Sequence, residues 1–136
     1  MTKPIFLGLD EVIEIHNDQI RRYGGHPGIR DIALLKSALA MPAASFDGDF
    51  LHTDIYEMAA AYLFHIVRNH PFIDGNKRTG AVASVVFLMM NGIETHANED
   101  AFEKIVISTA EGKTSKAAIA DFFRNNPHSQ GSARNR

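Results

Sequence analysis

Five residues within one run of ten have side chains or backbone that could do chemistry together. The run is His70-Pro71-Phe72-Ile73-Asp74-Gly75-Asn76-Lys77-Arg78-Thr79. His70 is the only side chain in it that can act as a neutral base near pH 7. Asp74 offers a hard oxygen ligand of the kind that holds magnesium together with nucleotide phosphates. Gly75 lets the backbone come close to a ligand and adopt the turn of a phosphate nest. Lys77 and Arg78 place two cations at the start of a helix, where the dipole itself favours acidic side chains. A bound polyanion would compensate, because the first helical turn also presents unpaired N–H groups. A base, a metal carboxylate and a phosphate cradle within nine residues describe phosphoryl or nucleotidyl transfer.

These groups have to be held by helices, because helical periodicity dominates the chain. Leu9, Val12, Ile13, His16 and Ile20 share one face of a first helix, with Asp10 as its expected cap and Tyr23-Gly24-Gly25 as its stop. A short second helix follows Asp31, carries Leu34, Leu35 and Leu39, and ends before Pro42. Thr53 or Asp54 caps a third, on which Ile55, Met58, Ala59, Tyr62, Leu63 and Ile66 follow the i, i+3, i+4, i+7 pattern. His70-Pro71 breaks it. The fourth helix runs from Asn76 to Met90 with apolar residues on most faces, which places it at the centre of a bundle. Asn98 or Glu99 opens a fifth helix and Ser115 a sixth.

Between the second and third helices, residues 42–52 mix Pro, Ser, Asp and Gly with Phe46 and Phe50, and read as a loop or short hairpin. The expected fold class is therefore all-α: about six helices around a central buried one, with a short flap. One domain covers residues 1–125, and residues 126–136 form a flexible polar tail.

Composition excludes several classes. The chain has 136 residues, no cysteine and a formal net charge of -2. That leaves no disulfide scaffold, zinc finger or thiol nucleophile, suits a cytoplasmic protein, and supplies no basic surface for nucleic acid. Residues 81–90 are apolar apart from Ser84, but span only about half of a membrane's thickness. No secretory signal is read at the N-terminus, where a single Lys3 precedes no extended apolar region. Gly112-Lys113-Thr114 resembles the end of a P-loop, yet Ile107 stands where the first glycine is required. His16, on the apolar stripe of the first helix, reads as a hydrogen-bonded core histidine. His26, His52, His65, His96 and His128 show no ligand spacing and read as surface or edge residues.

The run at 70–79 resembles the Fic-domain signature His-Pro-Phe-x-Asp/Glu-Gly-Asn-Gly-Arg-x-x-Arg. It departs from the AMP-transferring branch at Lys77, in place of the second glycine, and at Ala81, in place of the second arginine. In this it is similar to the death-on-curing (Doc) toxins. So are Arg22-Tyr23-Gly24-Gly25, Gly28-Ile29-Arg30-Asp31, Leu34-Leu35 and the Phe87-Leu88…Asn91-Gly92 ending, a likeness that runs from about Leu9 to Arg124.

The resemblance implies a Fic-fold bundle and a role for each position. His70 would take the proton of a target Ser or Thr hydroxyl, and Asp74 would hold Mg²⁺. Gly75, Asn76, Lys77 and Arg78 would bind the phosphates of ATP, with Phe72 anchoring the loop. Lysine in place of glycine implies a reversed ATP and transfer of the terminal phosphate, with a threonine of elongation factor Tu as target and translation blocked. The alternatives are AMP transfer through the same fold and a catalytically silent binding module, which would need neither His70 nor Asp74. Ser108-Thr109-Ala110-Glu111-Gly112 only approaches the family's self-inhibitory pattern, since Ile107 stands four before Glu111. Inhibition is thus expected from a Phd-type antitoxin, docked on the outer faces of the first three helices.

Overall fold

Helix starts fall where a short side chain can take up the free N–H groups of a first turn. In the computed structural model, which describes residues 3–129, six α-helices follow one another: α1 Leu9–Tyr23, α2 Ile32–Ala40, α3 Ile55–Asn69, α4 Asn76–Met90, α5 Glu99–Ala110 and α6 Lys116–Asn125. Asp31 caps α2 by accepting from the Leu34 N–H at 3.0 Å, and Asp54 caps α3 from Glu57 at 2.8 Å. Asn98 and Ser115 do the same for α5 and α6. The start of α1 differs from expectation. Gly8 is the cap residue, and Glu11 reaches back to its N–H at 2.8 Å. Asp10 lies inside the first turn, where its charge still complements the dipole.

The residues between α2 and α3 form a hairpin, β1 Ser45–Phe46 paired antiparallel with β2 Asp49–Phe50. Phe46 on it is 74% exposed. A second pair joins β3 Ile93–Thr95 to β4 Pro127–Ser129. The polar tail expected after Asn126 therefore begins with three residues in a strand. Their sequence shows no strand pattern, because what holds them is backbone pairing to β3. Residues 130–136 of that expected tail lie outside the described residues.

The central helix is α3, where the apolar run of α4 pointed to α4. α3 packs against α2, α4, α5 and α6, and buries every residue from Met58 to Leu63 together with Ile66 and Val67. Ala59, Ala60 and Ala61 let neighbours approach from several sides. α4 buries Thr79, Gly80, Ala83, Ser84, Phe87 and Leu88 on one face. Of its other apolar side chains, Val82, Val86 and Met90 border an open cleft beside α1.

Where α3 and α4 cross, a methyl group at Gly80 would stand 2.8 Å from Val67 and 3.3 Å from the Leu63 carbonyl oxygen. The helices can be this close only without a side chain there. This crossing carries the candidate site, because the loop joining the two helices contains the 70–79 run.

Candidate active site

The loop between α3 and α4 is shaped from both sides. His70 ends α3 in the left-handed conformation, at φ 52°, and its own N–H still bonds to the Ile66 carbonyl at 3.2 Å. The Gly28–Asp31 turn pairs with the loop beyond it. Arg30 and Asp31 N–H groups donate to the Pro71 carbonyl at 2.7 and 3.0 Å, and Ile73 N–H donates to Gly28 at 3.1 Å. The Arg30 side chain donates to the carbonyls of His70 and Asn69 at 2.7 and 3.1 Å, covering the C-terminal end of α3. Phe72 is wholly buried beneath the loop.

On this base His70, Asp74, Gly75, Asn76, Lys77 and Arg78 line one cleft of 300 Å³. All six candidates from the sequence converge there. His70 and Lys77 are exposed at its rim. Gly75, at φ 77°, precedes α4 in a left-handed turn that side chains rarely adopt. The first helical N–H groups, at Asn76, Lys77 and Arg78, have no partner within an α-helix.

The Asp74 carboxylate is set by two backbone donors: His26 N–H on Oδ2 at 3.1 Å and Gly75 N–H on Oδ1 at 2.8 Å. These two bonds, His26 the stronger influence, hold its pKa below the usual carboxylate value, with Arg78 adding a nearby positive charge. Asp74 is therefore an anion across the physiological range and presents a fixed pair of oxygens.

Two expected ligand side chains are engaged elsewhere. Asn76 is buried, and both ends of its amide bond the backbone of Phe72, each at 2.9 Å. It closes the loop on itself, leaving its main-chain N–H as the group a phosphate can use. The Arg78 guanidinium donates to the carbonyls of Gln19 at 3.3 Å and Gly24 at 2.9 Å, at the C-terminal end of α1. Its charge still lies on the cleft wall, but its direction is set by α1.

His16 is the hydrogen-bonded core histidine that the sequence indicated, but its partner in the 70–79 loop and the contribution of the segment after α1 were not read. His16 is 1% exposed and bonds the Asp74 carbonyl, and the segment after α1 supplies the His26 N–H. Gly25 makes room for this approach: a methyl group there would lie 2.7 Å from Asp74 Oδ2. The only prior signal was a Gly-Gly pair ending a helix that carries a histidine on its apolar face. Among the described residues, no three His, Cys, Asp or Glu side chains group to hold a metal. Asp74 suits an ion that arrives with phosphates and shares their oxygens.

His52 and His65, expected at surface or edge, instead converge on one ammonium. Lys116 Nζ stands 3.1 Å from His52 Nε2 and 3.0 Å from His65 Nε2. His52 and Lys116 line a cleft of 330 Å³ with Glu57, Asp121 and Arg124, whose charges are already paired with one another.

The central loop of this helical bundle thus sets a histidine, a carboxylate and an open helix N-terminus around one cleft. The chain matches the Fic/DOC family over residues 6–88, and it belongs to that family. It is 31% identical over 115 residues to "Protein kinase doc" of Escherichia phage P1, covering 85% of this chain and 90% of that one. It is also 40% identical over 78 residues to "Toxin Doc" of Mycolicibacterium smegmatis, covering 57% of this chain and 60% of the relative. Among the described residues no helix is long and apolar enough to cross a membrane.

Proposed function

We propose that this chain is the toxin of a toxin–antitoxin pair and an ATP-dependent kinase for a Ser or Thr hydroxyl of a translation protein, with elongation factor Tu as the target. The observation that carries this is the convergence of His70, Asp74 and the open start of α4, with Lys77, on one cleft. The similarity to a relative named as a protein kinase supports the same reading.

In this reading the N–H groups at the start of α4 and the charges of Lys77 and Arg78 hold the triphosphate. Asp74 holds Mg²⁺, which would neutralise charge on the phosphates. The His70 imidazole takes the proton as the target hydroxyl oxygen bonds to the terminal phosphorus, and the bond to the leaving ADP breaks. No covalent enzyme intermediate is needed, so alignment and charge stabilisation supply the rate.

Lys77 supports terminal-phosphate transfer over AMP transfer, since it puts an ammonium at the rim where the AMP-transferring signature has no side chain. The test is transfer from labelled ATP to purified elongation factor Tu and to a cell lysate. We expect label from the γ position, none from the α position, and a mass gain of one phosphate. Label from the α position alone would make the chain an AMP transferase at the same site.

For the Phd-type antitoxin, the open cleft between α1 and α4 is a better berth than the outer faces of the first three helices. It measures 440 Å³, with Ile15, Val82, Val86 and Met90 among its apolar walls and Glu11, Glu14 and an Asp18–Arg21 ion pair on its rim. An amphipathic helix with basic flanks fits that pattern. Val86→Glu should leave the kinase active and abolish neutralisation. Unchanged neutralisation of this variant would place the antitoxin elsewhere.

A further inference from the structure

We propose that His16 is a positioning residue of the transfer site, aligning the metal-binding carboxylate through the main chain of the loop. The inference rests on the reading of Asp74 as the metal ligand. His16 lies 58 positions before Asp74, is 1% exposed and does not line the cleft, so its route to the site is through the loop main chain.

The bond itself is defined by chemistry. His16 Nε2 stands 2.8 Å from the Asp74 carbonyl oxygen. A carbonyl only accepts, so Nε2 must carry the hydrogen. The ring cannot drift, because it is stacked on Phe72 with centroids 3.8 Å apart and planes within 5°. Phe72 is in turn gripped at its backbone by Asn76. A methyl group at Gly75 would lie 3.6 Å from Nε2, so the imidazole sits directly against the turn.

The consequence follows from the planar trans peptide, in which the carbonyl of one residue and the N–H of the next point in opposite directions. Holding the Asp74 oxygen on the α1 side turns the Gly75 N–H the other way. There it meets Asp74 Oδ1 at 2.8 Å. Gly75 allows this peptide to rotate at little steric cost. Without the imidazole, rotation would take the N–H off Oδ1 and leave the His26 N–H as the sole backbone hold on the carboxylate. An apolar side chain at position 16 could pack on Phe72 equally well, but it would not fix the plane.

The test compares His16→Phe, which keeps the stack and loses the donor, with His16→Gln, which keeps a donor of similar reach. Binding of a non-hydrolysable ATP analogue is titrated with and without Mg²⁺, alongside the thermal midpoint. We expect His16→Phe to lose about 10–100-fold in magnesium-dependent affinity, the scale on which groups orienting a metal ligand act. His16→Gln should recover most of it, with both variants melting near wild type. Long-range ¹H–¹⁵N spectra of the unaltered chain should show the Nε2–H tautomer at His16, a reading that needs no variant to fold.

Wild-type affinity in His16→Phe, equal losses in both variants, or an Nδ1–H tautomer would each overturn the inference. A wild-type chain that binds the analogue with no magnesium dependence, yet shows the Nε2–H tautomer, would instead overturn Asp74 as metal ligand and remove this role with it.

Discussion

At the scale of single residues, the 70–79 run divides into groups that face the cleft and groups that hold the loop. His70 has both duties: its backbone ends α3 at φ 52°, while its side chain opens on the cleft. A substitution testing the base must therefore tolerate the left-handed region, which asparagine does better than most residues. His70→Asn should keep the fold and lower the rate of phosphate transfer by about 10²–10⁴, the usual contribution of a general base. Near-wild-type transfer by a well-folded His70→Asn would remove His70 from the chemistry. Asn76 and Arg78 show the opposite division. Their side chains satisfy protein carbonyls, and Asn76 also satisfies an amide N–H, so truncating either would disturb the loop before any ligand arrives.

Among the elements, the crossing of α3 and α4 matters most, since the site is the loop between them. Gly80 faces Val67 and the Leu63 carbonyl, and a backbone oxygen cannot yield as a side-chain tip can. Alanine favours a helix more than glycine does, so propensity alone would make Gly80→Ala stabilising. Overpacking of a tight contact typically costs about 1–3 kcal/mol. We expect the contact to win and the midpoint of thermal or urea unfolding to fall. A raised midpoint would show that the helices separate easily and that the crossing is not tight. α1 contributes on two faces: His16, the Gln19 carbonyl and the Gly24 carbonyl just beyond its end bond to Asp74 and Arg78, while Glu11, Glu14 and Asp18 border the open cleft.

At the scale of the whole molecule, the two buried-side histidines couple α3, the flap and α6 to pH. Burial, followed by the Lys116 charge, pushes His65 down to about 4, and the same two causes lower His52. The unfolded chain takes up these protons near pH 6.5, whereas the folded chain refuses the one on His65 until about pH 4. Between those values the unfolded state binds more protons, so stability is full above pH 6.5 and is lost as pH falls toward 4. One such proton gives a slope of at most about 1.4 kcal/mol per pH unit. Thermal midpoints measured from pH 7 to 4 should fall more steeply for wild type than for His65→Gln, since the carboxylates titrate in both. Parallel curves would show that His65 does not resist protonation.

Much of this protein was legible in the sequence for a physical reason: the informative signals are local. Helix periodicity, the caps at Asp31, Asp54, Asn98 and Ser115, and the base, carboxylate and glycine turn of the 70–79 run all act within a few residues of themselves. The same locality explains what could not be read. His16 and Asp74, Arg78 and Gly24, and Lys116 and His65 meet across 58, 54 and 51 positions, and no spacing rule connects them. Nor does a polar run such as Pro127–Ser129 announce a strand, because only its pairing to β3 makes it one. The nearly unbroken apolar run of α4 pointed to that helix as the centre, yet centrality depends on packing, and four other helices pack against α3 where three pack against α4. The sequence by itself determined which groups could do chemistry and that helices would carry them. Only the tertiary structure decided which face the cleft and which hold the loop, since hydrogen-bond partners are assigned by packing between segments distant in the chain.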